Sequence, residues 1–95
     1  MEHAYELTLN YVNCIIGMMN HSVDFVKNGE LDFRDSEHRV TWLIEQINSD
    51  WNDGFGALTY AKIYLKIITD DEFEELKSML RDAKNKCIDE AWELY

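Results

Sequence analysis

The sequence predicts an all-α fold: a compact, four-helix bundle-like single domain, with helices at roughly 2–28, 35–50, 57–68 and 70–94. Three observations carry that expectation. The chain contains no proline, the residue that most reliably interrupts a helix. Its apolar residues recur three and four positions apart, which is the spacing of one helix face. Thr69-Asp70-Asp71-Glu72 forms a capping box, in which a hydroxyl and a carboxylate reciprocally satisfy free amides at a helix start. Ninety-five residues make one domain, and an apolar content of 46% supplies one core.

The first helix ends at Asn28-Gly29, a pair suited to a left-handed cap. Its polar residues keep to one line, Glu6, Asn10, Asn13, Asn20, Asp24 and Lys27, with Gly17 in the gap. Two apolar seams flank that line. Leu7, Tyr11, Cys14, Ile15, Met18 and Phe25 form one; Leu9, Val12, Ile16, Met19, Val23 and Val26 form the other. A helix apolar over most of its circumference belongs at the centre of a bundle.

The second helix starts near Asp32 or Ser36, either of which suits an N-cap. Val40, Leu43, Ile44, Ile47 and Trp51 define its buried stripe. Asp53-Gly54 and Gly56 mark a turn, after which Leu58, Ala61, Leu65 and Ile68 face inward from a third helix. That segment is rich in β-branched and aromatic residues, so a strand is the alternative there. In the fourth helix, Phe73, Leu76, Leu80, Ala83, Cys87, Ala91 and Leu94 hold one face, and Ile68 and Phe73 stand where a hydrophobic staple belongs. The core is expected to include Ile15, Met18, Ile44, Ile47, Leu65, Phe73, Leu76 and Leu80.

Charge narrows the function. Nineteen Asp+Glu stand against nine Lys+Arg, a net charge of -10. Phosphate repels such a surface, which argues against nucleic acid and anionic membranes as direct partners and leaves basic protein surfaces as the complement. The first ten residues carry two acids and no Lys or Arg, unlike a signal peptide. Cys14 and Cys87 both fall on apolar faces, as buried thiols of a reducing compartment do. A cytoplasmic protein is the expectation.

No motif of catalysis, cofactor or metal binding is present, so neither an enzyme nor a cofactor is expected. Asp50-Trp51-Asn52-Asp53-Gly54 resembles a calcium loop only superficially: its glycine comes one residue early and the closing Glu is missing. Asp35 and His38 have the carboxylate–histidine spacing of di-iron bundles, but no second such pair accompanies them. The acidic run Asp70, Asp71, Glu72, Glu74 and Glu75 opens at a helix start, where the backbone dipole favours it. Lys62 and Lys66 read as internal neutralisers of adjacent acidic helices.

The far end of the fourth helix is different. Asp89, Glu90 and Glu93, with the chain's end at Tyr95, crowd a helix C-terminus, where the dipole disfavours carboxylates. Ile88, Trp92 and Tyr95 place an apolar edge beside them. Trp42 projects from a polar face among His38, Glu45, Gln46 and Ser49, either as an anchor for a partner or covered by the loop at Leu31–Phe33. Asp89, Glu90, Trp92, Glu93, Tyr95, Trp42 and Glu45 are therefore the expected partner-binding residues.

In size, acidity and helicity the chain resembles small phage inhibitors of the anti-CRISPR and anti-restriction kind, and the helical immunity proteins that block nuclease toxins. No motif carries that resemblance. It implies an inhibitor that seats carboxylates where a basic, nucleic-acid-handling partner would hold phosphate, and a monomer is expected. The competing expectation is a homodimeric scaffold or regulatory adaptor that pairs through the Asn10–Asn13–Gly17–Asn20 face. Its main support fails if Gly17 accommodates a neighbouring helix of the same chain.

Overall fold

The computed structural model describes residues 3–29 and 31–95, and the described residues contain three long helices and no strand. They are α1 (Ala4–Lys27), α2 (Ser36–Thr59), continued by a π-helical turn at Tyr60–Tyr64, and α3 (Asp70–Glu93). The expected start of the first helix at Glu2 lies outside the described residues. Each helix packs against both others, giving an up-down-up rod of 48 × 17 × 16 Å.

The helix count is a correction: the expected helices at 35–50 and 57–68 are one. The buried stripe of α2 runs Val40, Leu43, Ile47, Asp50, Gly54 and Leu58 without a break in phase, so nothing ends the helix at Asp53-Gly54. Gly54 is there for packing. A Cβ on it would lie 2.7 Å from Leu80 Cδ2 and 3.3 Å from Ile15 Cγ2, so the three helices meet at a backbone that has no room for a side chain. The calcium-like pentapeptide is thus helix throughout rather than a turn.

What stops α2 is the π turn. The Leu65 amide bonds the Tyr60 carbonyl at 3.0 Å and the Ile67 amide reaches Ala61 at 3.0 Å. Lys66 then takes a left-handed φ of 54°. Wider winding moves the end of this segment off the core, leaving Tyr60, Ile63, Tyr64 and Leu65 exposed. Leu65, placed inside by the helical spacing, is 50% exposed.

Caps follow local chemistry. Gly29 has φ 69°, the left-handed residue expected after α1. Asp35, rather than Asp32 or Ser36, caps α2: its carboxylate accepts from the His38 amide at 2.9 Å and contacts the His38 ring at 2.7 Å. At α3 the capping box is complete, with the Glu72 amide donating to Thr69 Oγ at 3.1 Å and the Thr69 amide to Glu72 at 2.8 Å. Thr69→Ala is therefore expected to cost about 1 kcal/mol in thermal or urea melts, without touching the opposite end of the rod.

Val12, Ile15, Met19, Val23, Leu43, Ile47, Leu58, Leu76, Leu80 and Cys87 are the centre of the core. Of the two apolar seams on α1, the Val12–Met19–Val23 seam and Ile15 are inside. Leu7, Tyr11, Cys14 and Met18 are exposed, so Met18 and Cys14 are corrections to the expected interior. A three-helix bundle asks one inward face of each helix, and α1 has more apolar surface than that face can bury. Cys87 is buried, and its thiol donates to Asn20 at 3.4 Å.

Candidate functional site

Antiparallel packing brings the start of α2 beside the end of α3, and Arg39 locks the two. Its guanidinium donates to the Leu94 carbonyl and to Ser36 Oγ. A cation at a helix C-terminus offsets the dipole, and Arg39 is the counterweight to the carboxylates there that the sequence did not suggest. Nothing in its polar-looking neighbourhood, Ser36-Glu37-His38, marks Arg39 as half-buried.

Two recesses open on the outer side of this junction. One, of about 430 Å³, is lined by Phe33, Glu37, His38, Thr41, Trp42 and Glu45. The other, of about 380 Å³, lies between α2 and α3 and is lined by Glu37, Val40, Thr41, Ile44, Trp92 and Tyr95. Glu37 and Thr41 belong to both. They join Trp42 and Glu45 to Trp92 and Tyr95 in one continuous face.

The aromatic rings on that face differ in access. Phe33 packs on Trp42 with ring centroids 5.7 Å apart, so the loop covers one side of Trp42 and leaves it half-buried. Trp92 and Tyr95 lie 6.2 Å apart and are 57% and 64% exposed. Trp92 is the open ring; Trp42 is part of the recess wall.

The expected carboxylates divide. Glu45, Asp89 and Glu93 are exposed and form no ion pair among the described residues, and the same holds of Glu37, which the sequence did not single out. Glu90 points the other way, toward α1, where Lys27 lies 3.6 Å from it. It is a bundle contact and stands apart from the face that holds Trp92.

Lys62, Lys77 and Lys84 are occupied elsewhere. Along the opposite half of the α2–α3 groove, Trp51, Phe55 and Phe73 form an aromatic ladder. Lys62 sits 4.5 Å over Phe73, Lys77 5.8 Å over the same ring, and Lys84 5.0 Å over Trp51. Lys62 also pairs with Asp70 at 3.6 Å, so it neutralises the start of α3 and not Asp89 or Glu93. These stacked cations gain from the ring quadrupoles as well as from charge. Near Trp92 no cation covers the ring among the described residues.

On α2 and its cap, titration is shifted at two places. Hydrogen bonds from the His38 amide and ring hold the Asp35 carboxyl below its usual range, and the same pair raises His38. Both are exposed and serve the cap. Burial, helped by Asp53, pushes Asp50 up. For an acid with a raised folded pKa the charged form destabilises the fold at neutral pH. Stability attributable to Asp50 therefore rises as pH falls through the folded pKa, and levels off below the ordinary value of 3.8. Asp50→Asn is expected to raise the melting temperature at neutral pH and to lose that advantage near pH 3.8.

No three His, Cys, Asp or Glu side chains cluster as metal ligands among the described residues, and no described helix is long and apolar enough to cross a membrane. No family model, curated protein or solved structure matches the chain. The functional reading therefore rests on this face.

Proposed function

We propose that the protein is a small cytoplasmic acidic inhibitor. It occupies a basic, nucleic-acid-handling surface of another protein through the face that holds Trp42, Glu45, Asp89, Trp92, Glu93 and Tyr95. One observation carries the reading: an open Trp92–Tyr95 pair beside carboxylates that the chain's own cations leave unpaired. An exposed aromatic edge supplies the desolvated anchor of an interface. The surrounding carboxylates steer encounter and pair with Lys and Arg that otherwise hold phosphate. Phage inhibitors of nucleases and toxin-immunity proteins act in this general manner, and the partner is placed in that class. Catalysis has no part in this reading.

Capture from a host lysate tests it. The wild-type chain is expected to retain a basic nucleic-acid-binding protein, and the Asp89→Lys/Glu93→Lys and Trp92→Ala baits to lose it. Asp71→Lys/Glu74→Lys, the same change of charge at the other end of α3, is expected to retain it. Equal loss from both charge-changed baits would reduce the contact to net charge and remove the face from the proposal.

A further inference from the structure

The charge of this molecule is unevenly laid out. From Leu7 to Val23, α1 carries no Asp, Glu, Lys or Arg, in a chain of which 29% is charged. Asn10, Asn13, Gly17 and Asn20 are exposed along that stretch, bordered by exposed Leu7, Tyr11, Cys14 and Met18. Each helix contacts both others, so the outer side of α1 faces away from the α2–α3 groove.

Two features of this strip have no cause within the chain. Glycine weakens a helix interior relative to alanine. Gly54 is explained by Leu80, whereas a Cβ on Gly17 would meet nothing within 4 Å. Beside Gly17, a recess of about 390 Å³ between α1 and α2 is lined by Cys14, Met18, His21, Gln46 and Asp50, among others. Asp50 is nine-tenths buried on its wall. No side chain or backbone amide among the described residues donates to its carboxylate, which reaches solvent through this recess.

We propose that this strip is where two copies of the chain pair, about a two-fold axis that brings the α1 backbones together at Gly17. Charge selects a second copy as the occupant. A molecule of net charge -10 repels itself wherever carboxylates face one another, and both α2 and α3 carry them along their outer sides. The α1 strip places no like charges in opposition. It is also self-complementary, as a two-fold contact requires. Asparagine amides donate and accept at once, glycine permits close backbone approach, and the neutral donors of one copy are of the kind that Asp50 of the other lacks. Pairing here leaves the α2–α3 face of each copy open.

The strip sets the affinity. Seventeen residues span about 25 Å along a helix about 10 Å wide, on the order of 250 Å² a side and below the usual size of a stable interface. Pairing through so small a strip is weak and depends on concentration, not a permanent dimer.

Sedimentation equilibrium of the full chain from about 5 to 200 μM tests the proposal. The wild type is expected to dimerise reversibly and to pair more tightly as salt screens the net repulsion. Gly17→Gln puts a good helix former in place of the glycine, so the variant folds at least as well. It is expected to weaken pairing by at least roughly tenfold, about 1.4 kcal/mol. Met18→Glu is expected to do the same, and Trp92→Ala to change nothing. A wild type that stays monomeric to about 200 μM overturns the proposal. So does a dimer indifferent to both Gly17→Gln and Met18→Glu, because the copies then meet elsewhere.

Discussion

Truncating Leu76 to alanine is expected to destabilise the protein by roughly 2–5 kcal/mol. Leu76 is fully buried in the core cluster to which all three helices contribute. Removing its branched end forfeits the transfer energy of the lost carbons and leaves a cavity that rigid neighbours refill only in part. A domain of this size holds about 5–15 kcal/mol in total, so the loss takes a large share of its stability. Met18→Ala is the matching control. Met18 is 51% exposed, and a monomeric surface substitution there is expected to stay within about 0.5 kcal/mol. Urea melts of the two variants below micromolar concentration separate a core residue from one that only looks like core. Equal losses would show that both seams of α1 are buried.

Gly54→Val is the second large effect. The first carbon of any side chain at this position already lies 2.7 Å from Leu80 Cδ2, and Leu80 is fully buried, with little room to retreat. Overpacking of this kind costs about 1–3 kcal/mol, a fall of about 4–8 °C in melting temperature for each kcal/mol at this size. Gly56 is two residues on, exposed and helical, and a methyl group there would meet nothing within 4 Å. Gly56→Ala is expected to stabilise by about 0.5–1 kcal/mol, since alanine loses less backbone entropy in a helix. Opposite signs from neighbouring glycines are what one continuous α2 requires. In a flexible turn at Asp53-Gly54, valine at position 54 would be tolerated.

These residues also show how far the sequence could be read. The start of α3 was legible because a capping box is a local device, complete within Thr69–Glu72. The buried face of α3 was legible because its outer face is strongly polar, leaving one choice of stripe. On α1 two apolar seams competed, and only the placement of α2 and α3 decides which is covered; Met18 and Cys14 fell on the losing side. Gly54 misled for a related reason. A glycine after an aspartate is a local signal for a turn, whereas its use as a point of close helix approach depends on Leu80, far along the chain. Of the candidate site, Trp92, Tyr95, Asp89 and Glu93 share one end of α3, as their spacing implied. That Glu37 and Thr41 connect them to Trp42 and Glu45, and that Lys27 draws Glu90 away, depends on how the helices pack.

In the proposed function Asp89 and Glu93 are kept for a partner and against the preference of their own helix. They stand four apart, repel each other, and face the negative end of the α3 dipole. The decisive measurement pairs melting curves of wild type and Asp89→Lys/Glu93→Lys with association kinetics against the captured partner at two salt concentrations. The variant's stability is expected to be unchanged or raised by a few tenths to about 1 kcal/mol. It is also expected to bind more slowly and more weakly, with less dependence on salt. A variant that melts earlier and binds as well as wild type would overturn the proposed function, making these carboxylates structural partners within the bundle.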